Sequence, residues 1–143
     1  MGQTINLVKL CVGCDSVDQL AAWQEMRGAG APDWRPRHVT RMWPKREAAL
    51  VAGGSLYWVI KGVILVRQRV IRLDEVIGDD GIRRCGIVME RDLIRTQPAP
   101  RRAFQGWRYL EPGDAPPDLP AHRQGDDRLP PELSGKLAEI GIL

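Results

Sequence analysis

Residues 53–73 read GGSLYWVIKGVILVRQRVIRL, and this stretch decides the fold. Two runs rich in β-branched and aromatic residues, 56–60 and 63–73, are separated only by Lys61 and Gly62. A two-residue connection that ends in glycine is typical of a β-hairpin, because glycine readily adopts the positive φ that tight hairpin turns require. The stretch therefore predicts a central hairpin, and the rest of the chain is expected to extend its sheet or cover it.

Other segments are predicted around the hairpin from their alternation or helical spacing. These are strands at residues 4–12, 38–43 and 83–91, and helices at 16–27 and 131–140. The third strand is open to continuation through residues 93–95. A further short helix is expected to begin at Pro44, because the fixed φ of proline suits a first helical turn. Residues 74–81 and the region from Pro98 onward are predicted as turns and loops.

These elements predict the α+β class. We expect a small bent or closed mixed β-sheet of about five to seven short strands, covered by two short helices and a terminal helix. Residues 1–110 are predicted to form a single barrel-like domain. Residues 111–143 are predicted to be a proline-rich acidic tail whose short helix docks on that body. A chain of 143 residues is long enough to bury a hydrophobic core without disulfides or metals.

Charge is distributed unevenly along the chain. The net charge is +3 overall, but it is −2 over residues 1–33, +9 over residues 34–108 and −4 over residues 109–143. Of the sixteen basic residues in the central region, fourteen are arginine, whose planar guanidinium suits phosphate and carboxylate groups. A basic centre between acidic ends predicts a polyanionic partner. The alternative is that the acidic tail folds back and neutralises the arginines.

Several classes of protein are not indicated. No run approaches the roughly 18 apolar residues of a membrane span, and residues 1–10 lack the basic start and apolar core of a secretion signal. We therefore expect no membrane partner, a cytoplasmic location and reduced cysteines. The nucleophile elbow, the phosphate-binding loop and the paired-histidine zinc motif are all absent from the sequence. No catalytic residue and no cofactor are predicted.

Cys11 and Cys14 have the spacing of a thiol-redox or metal site. A structural zinc site normally needs about four ligands, and the rest of the chain offers only Cys85, His38 and His122 of the cysteine and histidine type. No metal is therefore predicted. Assembly of the pair with Cys85 or one histidine in the folded chain remains an alternative.

Arginines on and beyond the hairpin form the candidate site. Because side chains alternate along a strand, Arg67 and Arg69 are expected to project from one face of the sheet, and Gln68 and Arg72 from the other. If the 83–95 strand pairs beside the hairpin, eight arginines would converge: Arg67, Arg69, Arg83, Arg91, Arg95, Arg101, Arg102 and Arg108. The loop at residues 101–109 adds aromatic side chains, at Phe104, Trp107 and Tyr109.

The predicted nucleic-acid-binding residues are Arg67, Arg69, Arg101, Arg102, Trp107, Arg108 and Tyr109. The first two would contact phosphate or a base edge, and the other arginines would anchor phosphates. One of the two aromatic side chains would stack on an unpaired base. In the alternative, Phe104 and Trp107 plug the end of the barrel and the arginines bind carboxylates such as Glu90 and Asp92.

Two resemblances bear on the interpretation. Over nearly its whole length the chain resembles a family of uncharacterised, mainly alphaproteobacterial proteins, classified as a domain of unknown function. The residues that carry this resemblance are NLVKLCVG (6–13), GGSLYWVIKG (53–62) and PRRAFQGWRYL (100–110). Residues 38–110 look more loosely like the RNA-binding barrel superfamily of ASCH, EVE and PUA domains. Its members place a short helix and a glycine ahead of a barrel hairpin, as in AALVAGGSLYWVIKGVILVRQRV (48–70).

The second resemblance implies a small closed sheet with a basic cleft for RNA or a modified base. The chain is therefore predicted to be a non-catalytic module that binds RNA, or a nucleotide-like anion, in an arginine-rich cleft. Two alternatives remain open. One is an enzyme acting on a phosphorylated or nucleotide substrate, with Arg67 and Arg69 as the clamp and Glu90 or Asp92 as the base. The other is a protein-interaction domain that uses residues 112–131 as a docking strip.

Overall fold

The computed structural model describes residues 4–124, which form an α+β fold around one mixed sheet. Its strands are β1 (Asn6–Leu10), β2 (Arg37–Thr40), β3 (Ser55–Ile60), β4 (Val63–Ile77), β5 (Arg83–Met89), β6 (Ile94–Pro100) and β7 (Trp107–Leu110). Its helices are α1 (Val17–Gly28) and α2 (Glu47–Val51), and two 3₁₀ turns follow at Pro112–Asp114 and Ala121–Arg123. The sheet is mixed because β1 pairs in parallel with β3 while the other ladders are antiparallel.

The predicted central hairpin is confirmed. Strands β3 and β4 pair in antiparallel fashion, with Ile60 opposite Val63. Lys61 has φ +51° and Gly62 has φ +81°. Positive φ at both central residues is what a type I′ hairpin turn requires. The turn therefore matches the right-handed twist of the strands that it joins.

The long strand β4 connects the two halves of the sheet. The strand order is β2-β5-β4-β3-β1-β7, and β6 pairs with β4 as well. Close to the hairpin turn, β4 lies between β3 and β6, and farther along it pairs with β5. The register shifts between Val70 and Arg72, and such a bulge bends the strand. One strand thereby carries both the hairpin and the edge strands that follow it.

The sheet is open rather than closed. Within residues 4–124, no ladder joins the outer strands β2 and β7, so the closed-barrel alternative is not confirmed. Side chains nevertheless link β7 to the segment after β2. The Trp107 indole donates to Met42 O at 2.8 Å, and Arg46 N donates to Tyr109 Oη at 3.0 Å. The two outer regions of the sheet therefore approach each other without pairing.

Apolar side chains bury the sheet on both faces. The larger cluster lies beneath α1 and α2, and includes Leu7, Leu20, Leu50, Trp58, Val66, Val70 and Ile87. The smaller cluster contains Val8, Tyr57, Val59, Ile64 and Leu110, with Phe104 and Ala115 packed against it. Neighbouring residues such as Trp58 and Val59 belong to different clusters because strand side chains alternate between faces. The α1 helix begins after Ser16, whose hydroxyl accepts from Gln19 N and so caps the helix.

Several predicted boundaries are wrong. β4 continues to Ile77, through residues that were expected to be a turn, because Asp74 and Glu75 pair with Gly86 and Cys85 of β5. β7 and the last three residues of β6 occupy segments that the sequence predicts as loop, and residues 94–95 of β6 are expected from the sequence to continue the preceding strand. The sequence does not indicate β6 as a separate strand because it contains Pro98 and Pro100, and proline is depleted in strands. α2 begins at Glu47 rather than at Pro44.

Residues 111–120, which we call the proline strap, run from β7 across the smaller cluster to the edge of β6. Asp118 forms an isolated antiparallel bridge with Thr96. Gln97 N donates to Pro117 O at 2.8 Å, and Leu119 N donates to Arg95 O at 2.9 Å. This part of the predicted proline-rich tail is therefore hydrogen-bonded to the sheet.

The predicted terminal helix at residues 131–140 lies outside the described residues, and the division of the chain at residue 110 stays a prediction. The longest helix of the described part, α1, has 12 residues. A helix needs about 20 apolar residues to cross a bilayer, so none in residues 4–124 could do so.

Candidate nucleic-acid interface

A cleft of about 620 Å³ opens between α1 and the sheet. Trp23 of α1, Trp34 from the connection to β2, and Trp58 of β3 contribute to its lining. We call it the tryptophan cleft. Ligand pockets commonly have volumes of about 300–1,000 Å³, so this cleft is large enough for a nucleobase and its sugar.

A buried amide network holds α1 against the sheet beside the cleft. Gln68 of β4 is fully buried and exchanges two hydrogen bonds with Gln24 of α1, at 2.8 and 3.0 Å. Its carbonyl oxygen also accepts from the Trp58 indole at 2.9 Å, and its amide donates to Glu90 O at 3.0 Å. An unpaired buried polar group costs about 1–3 kcal/mol. The network therefore favours a single arrangement of α1 and Trp58.

Arg91 fixes the wall that carries Trp34. Its guanidinium donates to Gly28 O and Ala31 O at 3.2 Å, and so caps the carbonyl end of α1. The same guanidinium lies 5.5 Å from the centre of the Trp34 ring. Any side chain at Gly28 would overlap Arg91 and approach the Trp34 ring to 2.7 Å. A glycine is needed at this position because the arginine and the indole both pack on the backbone.

His38 is the titratable aromatic residue of the cleft. Its ring meets Trp58 edge to face, with the ring centres 5.6 Å apart. Its Nε2 atom is buried and has no hydrogen-bond partner within residues 4–124. Burial, with a smaller contribution from the charge of Lys9, lowers the pKa of His38 to about 4. The imidazole is therefore neutral at physiological pH, and its buried Nε2 keeps an unused hydrogen-bonding position.

Positive charge dominates the lining of the cleft. Five cationic side chains, Lys9, Arg27, Arg35, Arg37 and Arg72, face two acidic ones, Asp33 and Asp74. Within residues 4–124, Lys9, Arg27 and Arg37 form no ion pair. The other two contact carboxylates, Arg72 on Asp74 at 3.1 Å and Arg35 on Glu90 at 3.8 Å. A partly enclosed site with this excess of cations attracts anions.

The two cysteines of the CxxC motif form a turn at one end of the cleft. Cys14 N donates to Cys11 O at 3.2 Å, and the Cys14 thiol donates to Ser16 O at 3.0 Å. Burial, and then the adjacent Cys14, raise the pKa of Cys11 far above that of an ordinary thiol, so it stays protonated. Within the described residues, no three cysteine, histidine or acidic side chains are arranged to hold a metal ion.

Arg67 and Arg69 project from the face opposite Gln68, as their alternation predicts, but neither lines the tryptophan cleft. Arg67 donates to both carboxylate oxygens of Asp118, at 2.8 Å each, and to Ser55 Oγ at 2.8 Å. Arg69 is exposed. For Arg67, the structure corresponds to the alternative in which the acidic tail folds back on the basic centre.

Pairing of β5 and β6 beside the hairpin does not gather the arginines into one patch. Arg83 forms an ion pair with Glu75 and lies over the Trp43 ring, 4.3 Å from its centre. Arg95 donates to Asp18 of α1 at 3.0 Å. Arg91 caps α1, as described above. The bend of β4 and the alternation of side chains direct these arginines to different partners.

A second basic group surrounds the hairpin turn. Arg101 N donates to Gly62 O at 2.8 Å. The guanidinium groups of Arg101 and Arg108 lie 5.7 and 5.4 Å from the Phe104 ring centre. Arg102 is exposed. Within residues 4–124 none of these three arginines contacts a carboxylate, so they remain candidates for phosphate binding.

Trp107 and Tyr109 of β7 pack within the protein. Trp107 is 4% exposed and its indole N–H is bonded to Met42 O. Tyr109 is half-buried, and the two rings meet edge to face at 4.8 Å. This arrangement corresponds to the alternative in which aromatic residues close one end of the sheet. Stacking of a base on either ring stays a prediction.

The enzyme alternative requires a base beside the arginine clamp. The carboxylate of Glu90 contacts Arg35 instead of Arg67 or Arg69. Within residues 4–124, two carboxyl groups have clearly shifted pKa values, and both are lowered by hydrogen bonds from an arginine: Arg84 acts on Asp80 and Arg67 on Asp118. Both carboxylates therefore stay ionised and paired. This is the opposite of the raised pKa that a general base at neutral pH needs.

The sequence did not indicate the tryptophan cleft, although it contains the cleft residues. Trp23, Trp34 and Trp58 come from a helix, a connection and a strand, and no spacing motif relates them. One signal was available, since four of the five tryptophans fall between residues 23 and 58 beside several arginines. It does not show that they share a cavity, because only tertiary packing brings these elements together.

Comparison with known protein families confirms the resemblance over nearly the whole chain. The model of a family described as "Protein of unknown function (DUF1489)" matches residues 7–143. No curated protein and no solved structure matches the chain.

Proposed function

The chain belongs to the DUF1489 family of proteins of unknown function, and from this premise we propose that it is a non-catalytic RNA-binding module whose tryptophan cleft holds an unpaired base. One observation carries the proposal. Three tryptophans and His38 line a cleft of about 620 Å³, together with cations that have no carboxylate partner in residues 4–124. Aromatic rings stack on unpaired bases, and arginine and lysine bind the phosphates on either side.

In this proposal, some cleft residues contact the RNA base and others contact the phosphate backbone. Trp34 provides a half-buried ring next to the solvent, and neutral His38 provides a nitrogen that accepts or donates one hydrogen bond. Lys9, Arg27 and Arg37 are positioned for phosphate contacts. Recognition of a base edge by His38 would give some sequence preference, while the phosphate contacts would give none.

The basic group at the hairpin turn extends the same interface. Arg101 follows β6, which is three strands away from β1 and its Lys9 in the sheet. Arg108 lies opposite Val8, and Phe104 packs on the smaller cluster, so this basic group is on the face of the sheet away from the cleft. A single strand leaving the cleft near Lys9 would pass around the hairpin-turn end of the sheet to reach Arg101, Arg102 and Arg108. These three predicted contacts therefore remain part of the proposal.

The fold is compatible with the ASCH, EVE and PUA superfamily, and membership is part of the proposal. Its support is the short helix α2 and Gly54 ahead of the hairpin, and the approach of β7 to the segment after β2. The sheet in residues 4–124 differs from a closed barrel because β2 and β7 do not pair.

The test is a titration of a mixed-sequence, fluorescently labelled single-stranded RNA, followed by anisotropy at low salt. We expect Trp34→Ala to weaken binding about tenfold, because stacking contributes about 1–3 kcal/mol per base. The matched control is Trp43→Ala, since Trp43 lies outside the cleft under Arg83. Circular dichroism would establish that both variants are folded.

Each outcome of the titration has a definite meaning. Equal losses in the Trp34 and Trp43 variants would overturn the cleft as the base site. Absence of RNA binding at low salt would overturn the function itself. Binding of a mononucleotide in the cleft without RNA binding would instead favour the enzyme alternative, with a nucleotide as its substrate.

A further inference from the structure

Arg67 is the centre of a polar site that the RNA proposal does not use. Its Nε and Nη2 donate to the two oxygens of Asp118 at 2.8 Å each, which is the two-pronged geometry that guanidinium forms with carboxylate or phosphate. Its Nη1 donates to Ser55 Oγ, also at 2.8 Å. Asp118 belongs to the proline strap, so the carboxylate reaches Arg67 from outside the sheet.

A shallow, open cavity of about 350 Å³ lies beside this ion pair. Its lining includes Asn6, Ser55 and Tyr57 of the sheet, and Pro112, Pro116 and Pro117 of the strap. The prolines have restricted φ, so the strap keeps its shape beside the cavity with few hydrogen bonds. The volume is within the range of small-ligand sites.

Three polar groups at the cavity have unused hydrogen-bonding capacity. Within residues 4–124, the Tyr57 hydroxyl and the Asn6 side-chain nitrogen have no hydrogen-bond partner, since Asn6 uses its oxygen to accept from Ser55 N. Ser55 Oγ accepts from Arg67, and its own proton stays available. Burial raises the pKa of Tyr57, so its hydroxyl stays protonated and able to donate.

We propose that this cavity is a second ligand site, for a small anion that carries a carboxylate or phosphate group, and that Asp118 occupies the anion position when no ligand is bound. The ligand anion replaces the Asp118 carboxylate on Arg67. Its other oxygens accept hydrogen bonds from Tyr57, Ser55 and Asn6. Exchange of one anion for another keeps Arg67 paired throughout, so no unpaired charge is left in the site.

The strap is held in a way that permits this exchange. Between Ala115 and Pro120, two backbone hydrogen bonds fasten it to β6, from Gln97 N to Pro117 O and from Leu119 N to Arg95 O. The Asp118 carboxylate is about two-fifths exposed, so it can leave Arg67 for water. Arg69 is exposed on the same face of β4, and it would favour the approach of an anion.

The experiment measures the binding of inorganic phosphate, and of succinate, by calorimetry. Asp118→Asn keeps the size of the side chain and removes its charge, so we expect it to bind phosphate about tenfold more tightly than the unaltered chain. The matched control is Asp80→Asn. Asp80 makes a similar two-pronged pair with Arg84, at 2.8 and 3.0 Å, in the turn after β4. Tyr57→Phe in the Asp118→Asn background should weaken binding severalfold.

Equal phosphate affinity in the Asp118→Asn and Asp80→Asn variants would overturn the proposal. It would also be overturned if the double variant Asp118→Asn, Arg67→Met bound phosphate as tightly as Asp118→Asn alone. Comparing succinate with phosphate identifies which anion fits, and a 5′-phosphorylated RNA compared with its unphosphorylated form distinguishes a nucleic-acid end from a free anion. If Asp118→Asn does not fold, hydrogen exchange of the unaltered chain decides the matter. Saturating phosphate should then accelerate exchange of the Leu119 amide, and unchanged exchange would overturn the proposal.

Failure here is distinguishable from failure of the RNA proposal. Trp34→Ala removes part of the tryptophan cleft and should leave phosphate binding at Arg67 unchanged. Loss of phosphate binding in that variant would contradict a separate second site.

Discussion

His38 shows how burial changes the chemistry of one residue. An exposed histidine has a pKa of about 6.5, whereas burial against Trp58 and the nearby charge of Lys9 lower the pKa of His38 to about 4. Between pH 4 and pH 6.5, the His38 side chain is therefore protonated in the unfolded chain and neutral in the folded chain. By linkage, the free energy of unfolding falls as the pH decreases from 6.5 to 4.

We predict that His38→Phe reduces this acid sensitivity. Phenylalanine keeps an aromatic ring against Trp58 and does not titrate. One pKa unit corresponds to about 1.4 kcal/mol, so the loss that His38 causes in the unaltered chain is roughly 3 kcal/mol between pH 7 and pH 4. The measurement is urea unfolding at the two pH values.

The matched control for this prediction is His122→Phe, because His122 is exposed. It should retain the acid sensitivity of the unaltered chain. If His38→Phe shows the same pH dependence as the unaltered chain, His38 is not neutral in the folded state and its assigned role in the cleft fails.

At the scale of elements, the hairpin turn determines the register of β3 and β4, and through it the positions of Trp58 and Gln68. Lys61 and Gly62 both have positive φ. A residue with a Cβ atom is strained there by about 1–2 kcal/mol, and Lys61 already bears such a strain. Gly62 adopts positive φ without this strain, so it makes the turn conformationally favourable.

We predict that Gly62→Ala lowers the free energy of unfolding by about 1–2 kcal/mol, because alanine must adopt φ near +81°. Gly113→Ala is the matched control. A Cβ atom at either glycine would meet no atom within 4 Å, but Gly113 does not have positive φ. Urea unfolding of both variants isolates the backbone effect. Equal changes in the two variants would contradict the type I′ turn.

At the scale of the whole molecule, the basic centre is partly neutralised by the end of the chain. Asp118 pairs with Arg67, and Glu111 contacts Arg46 at 3.4 Å. Neither acid lines the tryptophan cleft, whose cations Lys9, Arg27 and Arg37 remain without an ion pair in residues 4–124. The excess positive charge is therefore concentrated at the cleft and at the hairpin turn.

We predict that RNA affinity falls with salt in proportion to the phosphates contacted. Each phosphate on a single strand contributes about −0.7 to the slope of log K against log salt. Three cleft cations alone give a slope of about −2, and contacts from Arg101, Arg102 and Arg108 would bring it to about −4. Anisotropy titrations at several salt concentrations measure this slope.

The double variant Arg27→Ala, Arg37→Ala should make the slope less steep by about 1.4. A second double variant, Arg41→Ala, Lys45→Ala, is the charge-matched control, because both side chains are exposed and neither lines the cleft. Identical slopes in the double variant and the control would show that phosphates bind elsewhere.

The elements that the sequence determined are those with local signals. The Lys61-Gly62 turn, the Ser16 cap of α1 and the alternation in β1 each lie within a few neighbouring residues, and all three are present in the structure. The projection of Arg67 and Gln68 from opposite faces follows equally from the geometry of one strand. Local backbone chemistry suffices for such features because no distant partner is involved.

Only the tertiary structure decided which segments pair and which side chains meet. β6 and β7 carry prolines or lie in a region that resembles a loop, and they become strands because β4 and β1 offer free edges. The carboxylate that pairs with Arg67, that of Asp118, is 51 residues away in the sequence. Trp23, Trp34 and Trp58 share a cleft because α1 packs on the sheet through Gln24 and Gln68. Pairing between distant segments depends on the whole chain, and no local pattern encodes it.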